Sequence, residues 1–294
     1  MSALTKAARQ LVKPYKITDG RRFDLKDVDP GDTRGLKSKV HAQAALQQGV
    51  ELLGKMQEKL YAQDRWAVLL VFQAMDAAGK DSTIKHVMTG VNPQGCQVFS
   101  FKQPSLHELD HDYLWRTTLC LPERGRIGIF NRSYYEEVLV VRVHPEYLDA
   151  QRLPPHKGDL WKQRLQEIRH FEHYLTCQGT TIVKFFLHVS KKEQQKRFLA
   201  RLDDPEKNWK FAIGDVEERR FWGKYQRAYE DMIQHTATPY APWYVVPADN
   251  KWYTRVVVAA AVAVALDDLD LKFPSVDTTK KKELDRVRAA LLSS

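Results

Sequence analysis

The sequence predicts an α/β fold, a three-layer sandwich in which helices cover both faces of a central parallel sheet. Short apolar runs rich in Val, Ile and Phe alternate along the chain with longer segments whose apolar residues recur at helical spacing. Strands and helices that alternate in this way form βαβ units, which place their strands in parallel. Hydrophobic residues make up 43% of the 294 positions, which is enough to bury a sizeable core.

The distribution of polar and apolar residues divides the chain into three regions. Residues 1–36 are polar, contain Pro14 and Pro30, and are predicted to form an extended arm. Residues 37–270 carry the alternating pattern and are predicted to form one core. Residues 271–294 form a charged tail, which is either a frayed or a docked terminal helix.

Within the core the predicted elements follow in order, beginning with a long helix over 37–64 that contains few helix breakers. The strands are the apolar runs at 65–73, 96–101, 126–130, 180–189 and 243–247. The helices lie at 81–90, 105–121, from 133 onward, and at 159–179, 191–204, 216–236 and 251–270. Ser105 and Glu108 form a capping-box pattern at one helix start.

The formal net charge of +9 makes a polyanionic partner plausible. The basic residues are interleaved with acidic ones, however, so charge alone does not distinguish nucleic acid, a membrane surface or polyphosphate.

The cysteines and the apolar segments indicate a cytoplasmic protein that does not cross a membrane. Cys96, Cys120 and Cys177 are odd in number and widely spaced, as expected of reduced thiols. No long apolar run follows the first lysines, so no signal peptide is expected. The apolar segment Val256 to Leu266 is shorter than the roughly 20 residues that a membrane helix needs.

The segment "AMDAAGKDST" resembles a phosphate-binding loop, whose standard pattern is G-x-x-x-x-G-K-[ST]. Gly79 and Lys80 occupy their usual positions, Ala74 replaces the first glycine, and Asp81 replaces the hydroxyl residue. The predicted strand before the loop and the helix after it are the context that such a loop requires. Its N–H groups, from Ala77 to Lys80, would then face an anion at a helix N-terminus. The alternative is an ordinary turn between a strand and a helix.

Asp76, inside this loop, needs an explanation because a carboxylate would repel phosphate. It is either a Mg²⁺ ligand, since Mg²⁺ binds through one or two carboxylates plus phosphate oxygens, or a brace for the loop backbone. Asp81 falls in the first turn of the helix, where an acidic residue is favourable by itself.

A second group of candidates lies at the end of the strand at 126–130, at the edge where parallel sheets bind ligands. Asn131 stands where an NTPase normally has a metal-holding Asp, and Arg132 could bind two phosphate oxygens or form a surface ion pair. Glu136 and Glu137, one turn later, either replace the missing carboxylate as metal ligands or cap the helix.

The segment "RLDDPEKNWKFAIGD" lies between two predicted helices and contains Arg201, Lys207 and Lys210. A basic loop of this kind, at about 200–215, is predicted to be a lid that closes over phosphates. The alternative is a solvated connector.

Four segments together resemble the polyphosphate kinase 2 family: "DAAGKD", "FNRSYYEEVLVVRVHPE", "RLDDPEKNWKF" and "APWYVVPADNKWY". The resemblance extends from about residue 15 to residue 270. Asn131 within "FNRS", followed by "YYEEV", is similar to the class III branch, whereas other branches have Asp at that position.

The resemblance implies a P-loop kinase core like that of thymidylate kinase, with a helical lid. It also implies reversible phosphoryl transfer between inorganic polyphosphate and nucleoside mono- and diphosphates, from AMP and ADP to ADP and ATP, with Mg²⁺. By position, Asp76 would hold the metal, Lys80 and Arg132 would bind the transferred phosphate, and Arg201, Lys207 and Lys210 would belong to the lid. A homo-oligomer, dimer or tetramer, is expected.

Two other functions are compatible with parts of the sequence. An NTP-dependent small-molecule kinase would use the same fold, but the missing Asp at position 131 argues against it. A nucleic-acid-binding protein would need a recognisable binding module, and the sequence contains none, so no nucleic-acid partner is expected.

Overall fold

A computed structural model of the chain describes residues 3–36, 39–155, 157–206, 208 and 213–293. Its centre is a six-stranded sheet with the order β1-β6-β5-β2-β4-β3. The strands are β1 (Lys16–Ile17), β2 (Ala67–Ala74), β3 (Cys96–Ser100), β4 (Ile127–Asn131), β5 (Thr180–His188) and β6 (Trp243–Pro247). All neighbouring strands are parallel except β1, which pairs antiparallel with β6. The α/β fold with a largely parallel sheet, predicted from the alternating pattern, is therefore confirmed.

Strand β2 occupies the middle of the sheet and determines where a site can form. All eight of its residues are buried, and it pairs with β4 on one side and β5 on the other. Phe72 lies opposite both Asn131 and Phe185, so the carboxyl ends of the three strands meet at one edge. In open parallel sheets this is the edge where ligands bind.

The helices pack in two groups that enclose the sheet. The first group is α1 (Ala3–Val12), α2 (Lys39–Gln63), α3 (Lys80–Val87) and α11 (Lys251–Asp267). The second is α6 (Val140–Val143), α7 (Leu160–Cys177) and α10 (Trp222–Thr236). The remaining helices are α4 (Leu106–Leu109), α5 (Trp115–Thr118), α8 (Lys191–Leu202), α9 (Ile213–Glu218) and α12 (Thr278–Leu292). Helix α11 contacts α1, α2 and α3, and its buried small residues allow close packing.

The sequence predicted an extended arm over residues 1–36, but the structure shows a helix in this region. The region begins with α1, which packs against α11, and Arg9 forms ion pairs with Asp267 and Asp268 at the end of that helix. Val12 and Tyr15 are buried in the core. Val12 and Tyr15 lie in a segment of mostly polar composition, so the composition did not indicate that the segment packs on the core.

Two predicted helices differ from the structure. The segment 105–121 contains two short helices, α4 and α5, because Asp112 accepts the N–H of Leu114 and begins a new turn. The capping box of Ser105 and Glu108 is confirmed. The segment after residue 133 starts as a 3₁₀ helix, Tyr134–Val138, before α6.

The charged tail and the hydropathy of the helices can both be compared with the sequence predictions. The charged tail contains α12, whose described side chains are exposed, Leu291 and Leu292 among them. Within the described part of the chain, no helix combines the length and the hydropathy that crossing a membrane would require.

Candidate functional site

The loop between β2 and α3 has the backbone conformation of an anion-binding turn. Ala77 and Gly79 both lie in the left-handed region, with φ of 60° and 105°. A left-handed alanine costs about 1 kcal/mol relative to a glycine, so the surroundings must hold it in place. Alternating right- and left-handed residues turn successive N–H groups toward one concavity that favours an anion. We call residues 74–80 the phosphate loop.

Two side chains of α8 hold the outer side of the phosphate loop. Arg197 Nη1 donates to the carbonyl oxygens of Ala77 and Ala78, at 3.0 and 2.8 Å. Gln194 Nε2 donates to the carbonyl of Asp76 at 3.0 Å. In a trans peptide the N–H points opposite to the C=O, so the N–H groups of Ala77 and Gly79 face away from α8. The N–H of Ala78 instead donates to Met75 O at 3.2 Å within the turn, which differs from its predicted phosphate contact.

Lys80 begins α3 and folds back over the phosphate loop. Its Nζ donates to the carbonyl oxygen of Ala74 at 2.9 Å. Burial lowers the pKa of Lys80, and the nearby Arg132 guanidinium lowers it further, whereas Asp76 and Glu136 oppose the shift. The ammonium group therefore lies against the loop backbone and within the electrostatic influence of Arg132, which follows β4.

Arg132 follows β4 and is held in a defined position by two carboxylates. Its backbone is left-handed, with φ of 63°, and its N–H donates to Phe72 O at 3.0 Å. Nη2 donates to Asp76 Oδ1 at 3.1 Å, and Nη1 lies 3.6 Å from Glu136 Oε2. Gln73 Nε2 in turn donates to Glu136 at 2.8 Å. Glu136 and then Asp76 raise the pKa of Arg132 against the effect of burial, so this cation stays charged.

A cavity of about 250 Å³ opens beside these residues, between the phosphate loop, α8 and α10. Its lining contains four carboxylates, two guanidinium groups and two tyrosines: Asp76, Glu136, Asp215, Glu218, Arg132, Arg219, Tyr225 and Tyr229. An excess of carboxylates in a cavity next to a phosphate loop favours a divalent cation that would bridge it to a phosphorylated ligand.

The residues at this cavity fit a Mg²⁺ ion. Asp76 is partly exposed and Glu136 lies on the same cavity, so one or two carboxylate oxygens are available. Among the described residues no group of three or more His, Cys, Asp or Glu side chains forms a metal cage. This donor set suits Mg²⁺, which completes its shell with water and phosphate oxygens.

Asn131 lies at the same edge and contacts the first turn of α3. Its Nδ2 donates to Asp81 Oδ1 at 2.8 Å, and Ser100 Oγ lies at 3.4 Å. The structure therefore joins Asn131 to α3, while the adjacent Arg132 is joined to Asp76.

Glu137 is placed differently from the metal role predicted for it. It is buried, pairs with Arg164 Nη1 at 2.7 Å, and accepts from Gln151 at 2.8 Å. It lines a separate cavity of about 260 Å³ between α4, α5 and α7. Because successive residues of this tight helix point in different directions, Glu136 rather than Glu137 shares the cavity with Asp76.

The predicted lid is partly described. Arg201 lies in the last turn of α8, with Nη1 4.0 Å from Asp215 Oδ2. Lys207 and Lys210 lie outside the described residues.

Sequence reasoning missed Gln194 and Arg197, which hold the loop, and Arg219, which lines the cavity. A signal existed for the first two: Gln194, Arg197 and Arg201 recur at spacings of three and four, which places them on one face of a helix. Both Gln194 and Arg197 are buried, which their polarity did not suggest.

Comparison with known proteins agrees with this geometry. The sequence model of the family described as "Polyphosphate kinase 2 (PPK2)" matches residues 36–274. An "ADP-polyphosphate phosphotransferase" of Rhodopseudomonas palustris is 51% identical, with 95% of this chain and 98% of that protein covered. An "AMP/ADP-polyphosphate phosphotransferase" of Meiothermus ruber is 46% identical, with coverage of 92% and 98%.

A solved structure shares the whole fold. The crystal structure of polyphosphate kinase 2 from Arthrobacter aurescens matches with a TM-score of 0.87 and 40% identity, over 97% of each chain. The match of the family model over most of the chain, together with these relatives, confirms the resemblance seen in the four sequence segments. The chain belongs to the polyphosphate kinase 2 family.

Proposed function

We propose that this protein transfers a phosphoryl group reversibly between inorganic polyphosphate and adenine nucleotides, and that it accepts both AMP and ADP. The observation that carries the proposal is the convergence of Lys80, Arg132 and Asp76 at the carboxyl edge of the sheet, beside a loop in which the N–H groups of Ala77 and Gly79 face away from α8. The relatives named for AMP or ADP transfer support the choice of substrates.

The protein forms no covalent bond with the substrates in this reaction and needs to supply little acid–base chemistry. A terminal phosphate oxygen of the nucleotide forms a bond to the end phosphorus of polyphosphate, and the bridging P–O bond of that unit breaks. A phosphate monoester is largely deprotonated at neutral pH, since its second pKa is about 6, so no general base is needed. Catalysis then depends on alignment and on charge stabilisation in the transition state.

The described residues supply both effects. The phosphate loop and Lys80 bind the terminal unit of polyphosphate, and Arg132 contributes two N–H donors to the oxygens of the transferred group. Glu136 and Gln73 hold Arg132 in position before substrate arrives. Mg²⁺, when bound at Asp76, would neutralise phosphate charge next to these donors. Arg201 and the lid segment around it would close over the phosphates.

The likeness of "FNRSYYEEV" to the class III branch supports the proposal that both AMP and ADP are accepted. In this proposal the nucleotide approaches from the Arg132 side and polyphosphate from the phosphate loop. AMP and ADP would both present their terminal phosphate oxygens to the same donors. One site would therefore add a phosphoryl unit to AMP and then a second unit to ADP.

The test is formation of ATP from AMP, and separately from ADP, with long-chain polyphosphate and Mg²⁺. Each reaction is also run without polyphosphate, since conversion of two ADP into ATP and AMP would otherwise imitate transfer. Lys80→Ala should abolish most of the polyphosphate-dependent ATP. Lys55→Ala, an exposed lysine of α2, is the matched control and should behave as the wild type.

ATP formation that persists without polyphosphate would contradict the proposal, as would full activity of Lys80→Ala with an unchanged melting curve. The expected homo-oligomer, dimer or tetramer, is tested by light scattering of the purified protein.

A further inference from the structure

Asp81 and Asn131 occupy two positions that normally hold the metal of a P-loop enzyme. The residue after the loop lysine is usually Ser or Thr, whose hydroxyl binds Mg²⁺. The end of the neighbouring strand usually carries an Asp that also serves the metal. Here the first position is Asp81 and the second is Asn131.

The structure brings these two side chains into direct contact. Asn131 Nδ2 donates to Asp81 Oδ1 at 2.8 Å, across the gap between β4 and the first turn of α3. The position that normally holds a neutral hydroxyl carries the carboxylate, and the position that normally holds the carboxylate carries the neutral amide. The pair thus keeps a single negative charge, which lies on the first turn of α3 instead of the end of the strand.

We infer that Asp81 is a magnesium-binding carboxylate of this site and that Asn131 is the residue that orients it. The inference rests on the function proposed above and answers which residue supplies the charge that Asn131 lacks. Glu137 does not supply it, because Arg164 and Gln151 engage it in another cavity.

The chemistry of the two groups supports this assignment of roles. An ionised carboxylate has about four lone-pair sites, and the bond from Asn131 uses one, so oxygen sites remain for a cation. Asp81 is exposed in the first turn of α3, directly after Lys80, so it lies where phosphate oxygens would arrive. An Asp at 131 would place two like charges in contact in the absence of a cation. The amide avoids this repulsion and donates a hydrogen bond instead.

The alternative is that Asp81 only stabilises the N-terminus of α3 through the helix dipole. The two roles separate in Asp81→Asn, which preserves an acceptor for Asn131 but removes the charge. Under the dipole role this variant would melt at a lower temperature and bind metal normally. Under the inferred role it would bind metal poorly.

The experiment is titration of the purified full-length protein with Mn²⁺ alone, in which electron paramagnetic resonance measures free Mn²⁺. We expect ~10-fold weaker binding in Asp81→Asn and in Asn131→Ala, the range seen when ligands or their orienting partners are lost. The double variant Asp81→Ser with Asn131→Asp rebuilds the usual arrangement and should recover most of the affinity lost in Asp81→Ser alone. Glu58→Gln changes an exposed acid near the C-terminal end of α2. It is the control and should bind Mn²⁺ as tightly as the wild type.

Equal Mn²⁺ affinity in wild type and Asp81→Asn would overturn the inference, and so would absence of Mn²⁺ binding by the wild type. A double variant that binds no better than Asp81→Ser would also overturn it, since the two positions would then not be interchangeable. These outcomes are independent of the proposed function, which is judged by polyphosphate-dependent ATP formation in the wild type.

Discussion

Arg197 Nη1 lies 2.8 Å from the carbonyl oxygen of Ala78, on the outer side of the phosphate loop. The same guanidinium reaches the carbonyls of Ala248 and Asp249 through Nη2, at 2.6 and 3.0 Å. One buried side chain therefore joins the phosphate loop to the turn that precedes α11. Since a carbonyl held outward leaves the N–H group of the same peptide facing inward, Arg197 positions the N–H of Gly79 and acts on the site through the loop backbone.

Arg197→Lys should lower both stability and catalysis. An ammonium group cannot span two pairs of carbonyls on opposite sides, so at least two buried acceptors lose a charged donor. We expect a loss of ~2 kcal/mol in the free energy of unfolding, the range for hydrogen bonds to charged groups. Urea denaturation measures this loss, and kcat should fall because the loop donors are less well aligned.

The control for this prediction is Arg169→Lys, an exposed arginine of α7. Arg197→Lys with wild-type kcat at a temperature where it is fully folded would show that the guanidinium only supports the fold.

Lys80 should impose an alkaline limit on substrate capture. Burial, followed by Arg132, lowers its pKa, so it loses its proton at a lower pH than an exposed lysine with a pKa of about 10.4. Loss of the proton removes a positive charge, so kcat/KM for polyphosphate should fall as pH rises through this lowered pKa. Bound phosphate favours the charged form, so kcat should fall only at higher pH.

The measurement is a pH profile of kcat/KM and kcat for wild type and Lys80→Arg. Arginine stays protonated throughout the range, so the variant should lack this alkaline decrease, although its maximal rate is lower. Superimposable alkaline limbs in the two proteins would assign the decrease to another group.

Strands β2, β4, β5 and β6 could be predicted because each is buried on both faces. A fully buried parallel strand is a continuous apolar run, and β2, β4, β5 and β6 all show this pattern near the predicted positions. β1 has only two residues, Lys16 and Ile17, and no such pattern exists in so short a segment. It forms because the N-terminal region packs on the core, where its backbone pairs with β6.

The candidate site was predictable where its residues are neighbours in a motif. Asp76 and Lys80 share one loop, and Arg132 follows a strand that must lie beside it, so their meeting follows from sheet topology. Arg197 meets Ala77 across 120 positions of sequence, and no local pattern encodes such a contact. The choice between Glu136 and Glu137 also needed the structure, because it depends on the 3₁₀ turn that follows Arg132.

Glu137→Gln should destabilise the protein without changing its magnesium requirement. Arg164 is 2% exposed and pairs with Glu137, so neutralising the carboxylate leaves a buried cation without its anion. Breaking a buried pair in this way costs ~3 kcal/mol. Glu136→Gln, by contrast, weakens the hold on Arg132 and should lower kcat more than stability.

Thermal denaturation and a magnesium titration of activity distinguish these two variants. A large rise in the Mg²⁺ concentration needed for half-maximal rate in Glu137→Gln would restore its predicted role as a metal ligand.

The buried pair of Glu172 and Lys184 should hold in place the turn that carries Arg132. Lys184 Nζ lies 2.5 Å from Glu172 Oε2, and both side chains are fully buried. The hydroxyls of Tyr134 and Tyr135 donate to the other oxygen, at 2.9 and 2.7 Å. These tyrosines follow Arg132 by two and three residues, so Glu172 anchors the turn that carries the phosphate-binding cation.

Glu172→Gln should therefore cost ~3 kcal/mol of unfolding free energy, because the charged form of Lys184 loses its buried anion. Replacing both partners, as Glu172→Leu with Lys184→Met, removes that charge but leaves two tyrosine hydroxyls without an acceptor, at ~1–3 kcal/mol each. Adding Tyr134→Phe and Tyr135→Phe removes those hydroxyls as well. Urea denaturation should thus give a lower unfolding free energy for the double variant, which retains both tyrosines, than for the fourfold variant. A fourfold variant less stable than the double variant would show that the tyrosine hydroxyls have other hydrogen-bond partners. Glu172 would then not anchor the turn that carries Arg132.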